Sequence, residues 1–493
     1  MDRRICLLYK TNKRKENKTM KKRIVATLLL IVMLMSMLAA CGGNEATEPT
    51  AAPEAGEEVV AKPVGNFVVP EGGYDGSAVE IVFYNTMGSN LSTVLDAYIV
   101  EFNKLYPNIT VTSTNVGNYD DCRDQISTEI TVGNQPNIAY CYPDHVALYN
   151  LAQAVATLDN LIDHPELGLT EEQKADFIEG YYNEGKQFGD GLMYTMPLSK
   201  STEVLYYNKT FFEANNIAVP TTWDEMEAVC AQIKAIDPQS IPLGYDSESN
   251  WFITMCEQQG SPYTSASGDH FLFDDEQNHA FIKKFNEWYN KGYVTTQTLY
   301  GAYTSGLFTT LEGVKSYMSI GSSAGATYQR PAANADGSYP FEVGIATIPQ
   351  VDASNAKVIS QGPSLCIFQK DNPQEVIASW LFVRFLTTNV NFQAEFAMAS
   401  GYVPVIKSVA ENPVYAEFIA NADGGKYISA LSAKVCLEQE HAYYTSPAFN
   451  GSSEARDQVG ALLTKCLALT GSDVDAKIAE AFADAVAECE YAS

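Results

Sequence analysis

Five histidines, His145, His164, His270, His279 and His441, are the side chains best suited to holding a metal or moving a proton near neutral pH, and no two stand at a metal-ligand spacing. The chain has no His-Glu-x-x-His and no phosphate-binding loop. Carboxylates cluster at Asp120-Asp121 and Asp274-Asp275-Glu276. Two facing carboxylates are what glycoside hydrolysis requires, so the abundance of acids leaves room for that chemistry. The second cluster suits a different role, since acids at the start of a helix over residues 277–289 would meet its positive end. His145 beside Asp144 reads as a solvated residue at a helix start. No motif for a cofactor is present, and none is expected. Beyond Cys6 and Cys41, eight cysteines show neither a Cys-x-x-Cys pair nor a zinc spacing. Their even number is compatible with disulfides and with buried free thiols alike.

Charge is unevenly distributed. Residues 1–40 carry ten of the 32 basic side chains and two of the 60 acids, so residues 41–493 hold 22 basic against 58 acidic side chains, a net −36. Such a surface repels phosphate backbones, and nucleic acid is not an expected partner. Lys21-Lys22-Arg23 precedes a 17-residue apolar run, Ile24 to Ala40, which ends in small residues. A basic head, an apolar core and a small-residue end make a secretory signal, with Met20 as its natural start. The acidic, proline-containing stretch that follows is the wrong flank for a membrane-spanning helix. Leu38-Ala39-Ala40-Cys41-Gly42-Gly43 resembles the lipobox of bacterial lipoproteins, which implies cleavage before Cys41, a lipid on its thiol and an extracytoplasmic protein anchored to the cell membrane. From Gly42 to about Gly76 the composition is that of a tether, and about 35 flexible residues reach roughly 30–35 Å.

Beyond the tether, Val79-Glu80-Ile81-Val82-Phe83-Tyr84-Asn85 reads as a strand. Leu91, Val94, Leu95, Tyr98, Ile99, Phe102 and Leu105 then recur at helical spacing, with Pro107 past the end and a second strand at Ile109–Thr112. This β-α-β alternation predicts an α/β fold with a mostly parallel sheet. Ligands in such sheets bind beyond the carboxyl ends of strands, which selects the loops Tyr84–Asn90 and Tyr142–Asp144. Thr221 or Thr222 should cap a helix opening at Trp223.

Four blocks in order resemble the family 1 extracellular solute-binding proteins of ABC importers. They are Ser199 to Lys209 followed by Pro220-Thr221-Thr222-Trp223-Asp224, then Met318 to Gly325, Gln361-Gly362-Pro363-Ser364-Leu365, and Gly401-Tyr402-Val403-Pro404-Val405. The resemblance runs from about Val79 to the C-terminus. It implies two α/β lobes joined by crossovers, a ligand cleft between them, and closure by hinge bending. It also implies a monomer without enzymatic activity that takes a small-molecule carbohydrate and delivers it to an ABC transporter permease. The expected division is a leader at 1–40 and a lipidated cysteine with tether at 41–78. The first lobe then takes 79–200 with about 321–360, the second 201–320 with about 361–493, and crossovers fall near Ser201, Ser322 and Gln361.

As ligand-binding residues the resemblance suggests Tyr119, Asp144, Ser201, Ser322 or Ser323, Gly362 and Tyr402. Asp144 would accept from vicinal hydroxyls, and Gly362, lacking a Cβ, would let backbone N–H groups approach the ligand. Trp251, in Ser249-Asn250-Trp251-Phe252, is the candidate platform on which a sugar face stacks. Each has a structural alternative: Tyr119 and Trp251 suit a core, Asp144 a helix cap, Ser322 and Ser323 a loop. Relatives that hold glycerol 3-phosphate carry an arginine after the Gly-Tyr-x-Pro block. Here Tyr444 to Gly451 has no basic residue, and Arg456, several residues later, need not reach the ligand. A neutral sugar is therefore favoured over a glycerophosphate.

Overall fold

The computed structural model describes residues 65–422 and 427–492. Cys41, the leader and tether residues 42–64 lie outside the described residues. The remainder of the expected tether is not free. Asn66 donates its amide to Thr157 Oγ1 at 2.9 Å and its side-chain amide to the Val155 carbonyl at 2.9 Å, and Phe67 is buried beside them. Packing thus begins about ten residues earlier than composition suggested.

Strand β1 (Val79–Asn85) buries Val79, Ile81, Phe83 and Asn85 on one face, as its alternation dictates. The helix Ser89–Leu105 follows and buries Leu91, Leu95, Tyr98 and Phe102, one stripe at spacings of three and four. Strands β2 (Ile109–Asn115) and β3 (Ile138–Cys141) run parallel to β1. The sheet is completed by β4 (Thr195–Pro197) and by β11 (Ser364–Ile367), which lies antiparallel between β3 and β4 to give the order β2-β1-β3-β11-β4.

The second sheet comprises β5 (Ser201–Asn208), β6 (Leu243–Tyr245), β7 (Val294–Thr296), β8 (Met318–Ser322), β9 (Val343–Ala346), β10 (Val358–Gln361) and β12 (Tyr443–Tyr444), in the order β12-β10-β5-β8-β6-β7 with β9 also on β5. Its β6, β7 and β8 are parallel, whereas β5 is antiparallel to β8, β9 and β10. Both sheets are therefore mixed rather than mostly parallel.

These pairings correct the expected division. Ser322 sits inside the second lobe, opposite Glu203, so no crossover occurs there, and residues 321–361 stay with the second sheet. The chain returns to the first sheet through Gly362-Pro363 into β11, and crosses back before β12. The helix Pro373–Thr388 packs on β1 and β11. Ser201 and Gln361 pair in register at the junction, where two crossovers lie side by side.

Each lobe has its own aromatic core, around Phe83, Phe102 and Phe382 in the first and around Trp223, Trp251, Phe285 and Trp288 in the second. Thr222 opens the helix Trp223–Ile236 with a capping box closed by Glu225. Cys122, Cys141, Cys230, Cys256, Cys366, Cys436, Cys466 and Cys489 are all buried free thiols. Among the described residues, no helix is long and apolar enough to cross a membrane.

Candidate functional site

A cavity of about 70 Å3 opens between the lobes. The first lobe contributes Tyr142, Pro143, Asp144 and Glu184; the second contributes Gln361, Tyr263, Thr445, Ser452 and Arg456 among others. Across it the lobes touch directly. Arg123 Nη1 donates to Ser453 Oγ and to Asp457 Oδ2, both at 3.1 Å, and Gln187 Nε2 donates to Thr445 Oγ1 at 2.7 Å.

Asp144 reaches the cavity because β3 ends at Cys141 and Pro143 starts the helix Pro143–Tyr149 at once. Tyr142 occupies the N-cap position and no side chain caps the helix, so Asp144 is not spent as a cap. Of the two loops selected from strand ends, Tyr142–Asp144 lines this cavity. In the other, Asn85 bonds Ser113 and Asn90 bonds the Ala399 carbonyl. His145 is not solvated: it is buried with Tyr142 and Tyr149 against its ring at 5.5 and 6.5 Å, and burial holds its pKa down.

Tyr119 and Tyr402 come together from distant parts of the sequence, with hydroxyls 3.5 Å apart. Tyr119 packs on Tyr142 at 4.7 Å and stacks with Tyr140 at 6.3 Å, so the rings form a half-buried run leading to the cavity wall. Burial raises the phenol pKa of Tyr119 and Tyr402, which keeps both hydroxyls protonated as donors.

The remaining expected residues stand elsewhere. Trp251 is fully buried, 0% exposed, stacked on Tyr245 at 4.8 Å and against Phe285 at 4.2 Å. It is a core residue of the second lobe and offers no face to the cavity. A Cβ on Gly362 would meet the Ser199 carbonyl oxygen at 2.5 Å and Lys200 Cα at 2.7 Å, and its φ is +98°. The glycine is needed for close approach, but what approaches is the neighbouring crossover rather than a ligand. Ser201 is buried beside it. Ser322 Oγ accepts from the Ala324 amide, and the buried Ser323 Oγ accepts from the Thr202 amide at 3.2 Å, so both fasten loops. The acidic clusters are likewise engaged. Asp121 closes the capping box of the helix Tyr119–Ile130, and Asp275 caps the helix Glu276–Asn290.

Sequence reasoning missed Glu184 and misjudged Arg456. Arg456 does reach the cavity: it lies one turn beyond Ser452 on the helix Ser452–Leu467, a spacing of four that puts both on one face. Its Nη2 donates to Asn250 Oδ1, whose Nδ2 donates to Glu203 Oε1 at 3.0 Å. Tyr245 donates to Glu203 Oε2 at 2.6 Å. Burial pushes the Glu203 carboxyl up to about 7, against the pull of those two hydrogen bonds and of Arg456. The cavity thus offers carboxylate acceptors, hydroxyls and one guanidinium, with apolar ring faces between. Among the described residues, no three His, Cys, Asp or Glu side chains are grouped to hold a metal ion.

Residues 97–422 match the family model for bacterial extracellular solute-binding proteins. The sn-glycerol-3-phosphate-binding periplasmic protein UgpB of Escherichia coli (strain K12) is 23% identical over 354 residues, covering 66% of this chain and 74% of the relative. Among solved structures, UgpB of Mycobacterium tuberculosis in complex with glycerophosphocholine aligns with a TM-score of 0.67 at 17% identity, over 84% of this chain and 98% of that one. The substrate-binding protein Lmo0181 of Listeria monocytogenes in complex with cycloalternan aligns at 0.67 and 16%, over 84% and 99%. Maltose-bound MalE3 of T. maritima aligns at 0.65 and 18%, over 84% and 100%. The fold is theirs, and the chain belongs to the bacterial extracellular solute-binding protein family.

Proposed function

We propose that this protein captures a carbohydrate in the cavity between its lobes and delivers it to an ABC importer permease, acting as a non-enzymatic monomer anchored through a lipid on Cys41. The observation that carries this reading is the composition of the cavity wall. Asp144 and Glu184 accept hydroxyl hydrogens, Tyr142 and Tyr263 supply ring faces with polar tips, and Gln361 and Thr445 both donate and accept. A polyhydroxylated ligand satisfies such a wall, and its bridging of both lobes favours the closed state. Tyr119 and Tyr402 act from behind Tyr142 and set its ring.

A second reading, a glycerophosphate compound, is favoured by Arg456, which reaches the cavity after all. It ranks below carbohydrate because Asn250 and the buried Glu203 already engage that guanidinium, and because two carboxylates share the wall. The test is calorimetric titration of the purified protein with mono- and oligosaccharides, glycerol 3-phosphate and glycerophosphocholine. Binding of a saccharide, recovered unaltered, supports the proposal; binding of phosphate compounds alone replaces it with the second reading, and a cleaved saccharide makes the protein a hydrolase. For the anchor, labelled palmitate should enter the wild type and be absent from Cys41→Ser.

A further inference from the structure

Glu184 and Lys200 are a buried ion pair at the place where cavity and crossovers meet. Glu184 is 3% exposed and lines the cavity; Lys200 is 0% exposed and stands in the crossover between β4 and β5. Lys200 Nζ donates to Glu184 Oε2, to the Gly362 carbonyl at 3.3 Å and to Ser364 Oγ at 3.2 Å. Ser364 in turn donates to the same Glu184 Oε2 at 3.1 Å. One carboxylate oxygen therefore takes both crossover donors.

A buried pair of this kind is a poor source of stability, because removing two charges from water offsets most of their attraction. What it supplies is orientation. An ionised carboxylate has about four acceptor sites, and two partners crowd a single oxygen here. The desolvation of Glu184 is met by Lys200 before any ligand arrives, so a ligand hydroxyl meets an acceptor that needs no rearrangement. Three residues on, Gln187 bonds Thr445 of the opposite lobe, which fixes this segment against the far wall of the cavity.

We infer that Glu184 is a ligand-binding residue that accepts hydroxyl hydrogens from a neutral polyhydroxylated ligand, and that Lys200 is its positioning residue, tying that contact to both adjacent crossovers. This deepens the carbohydrate reading and rests on it. A phosphate would be repelled at this end of the cavity, so the pair also discriminates between the two ligand classes.

The test compares the wild type with E184Q/K200M, which removes both charges together and leaves neither buried alone. Maltose, maltotriose and cycloalternan serve as carbohydrate probes in calorimetry, with glycerophosphocholine as the phosphate probe and thermal unfolding as the control. The expected result is a melting temperature within a few degrees of the wild type and carbohydrate affinity at least tenfold weaker. Should the double variant not fold, E184D carries the same test, with affinity at least fivefold weaker because the shortened side chain withdraws from the cavity. For Lys200, K200M should weaken carbohydrate affinity at least fivefold, and K200R, which restores a cation beside Glu184, should recover most of it. Unchanged affinity in the folded double variant, or K200R no better than K200M, overturns this inference alone. A wild type that binds none of the carbohydrates overturns the functional reading and this inference with it.

Discussion

Two aromatic clusters, one in each lobe, look alike in sequence and differ in what their rings touch. In the second lobe Trp251, Tyr245, Trp223 and Phe285 stack on one another in a dry core. In the first, Tyr119 packs on Tyr142 and meets Tyr402 hydroxyl to hydroxyl, a half-buried run that ends at the cavity. Large flat rings thus build the lobe in one case and the wall of a cleft in the other. Polar tips occur in both clusters; the Tyr245 hydroxyl is spent on buried Glu203, whereas those of Tyr119 and Tyr402 meet near the cavity wall.

The sharpest way to break this comparison is to truncate one ring from each cluster. Trp251→Ala should cost about 3–5 kcal/mol in urea unfolding, the usual penalty for emptying an aromatic core position, while carbohydrate affinity of the remaining folded protein changes less than threefold. Tyr142→Ala should do the reverse, with a small stability loss and affinity at least tenfold weaker by calorimetry. Equal losses of affinity in the two variants would erase the distinction.

The next effect comes from Glu203, which lies under both Tyr245 and Arg456. Its carboxyl holds its proton more tightly folded than unfolded, at about 7 against an ordinary 4.5. Stability is therefore fullest below 4.5 and falls as pH rises to about 7, by about 3 kcal/mol if that shift is the whole contribution. Urea midpoints measured from pH 5 to 8 should decline in the wild type and flatten in Glu203→Gln. Arg456→Ala sharpens the choice of ligand, with affinity for glycerophosphocholine falling at least a hundredfold if a phosphate is bound and carbohydrate affinity less than tenfold if a sugar is. The smallest effect belongs to Arg123, whose bond to the half-exposed Asp457 joins the lobes at the rim. Arg123→Ala should weaken binding by at most about fivefold, and less at high salt, as for other partly exposed ion pairs.

Much of the fold was legible where the signal is local. The β1 alternation, the stripe Leu91, Leu95, Tyr98 and Phe102, and the Thr222 cap each follow from neighbours within a dozen residues. The place of Asp144 just beyond the end of β3 was legible as well, because loops at the carboxyl ends of strands are where such sheets take ligands. Trp251 was not. Its helix, Glu248–Gln259, buries Trp251, Phe252, Ile253, Thr254, Met255 and Cys256 in succession, so no stripe distinguishes a core face from a cleft face. Gly362 was expected to let a ligand approach, whereas the group that comes close lies more than 160 residues earlier, and long-range pairing leaves no local trace. The same holds for Ser322, whose partner strand decides its lobe. Glu184 gave no signal, as one more acid in an acidic chain, until Lys200 was seen to face it.

The position of β11 has a consequence for the life of the chain before it works. This strand fills the gap between β3 and β4, yet it follows them by about 220 and 170 residues respectively. Until Ser364–Ile367 has been synthesised, the first sheet is two separate pieces with open edges, and its closure demands contacts of very high sequence separation, which form slowly. A protein destined for the outside of a bacterium must pass through a membrane first. Closure of the first sheet therefore waits until residue 367 of 493 has been made, a delay that suits a chain of an extracellular family, since an unclosed sheet leaves the chain longer in a form that can be threaded.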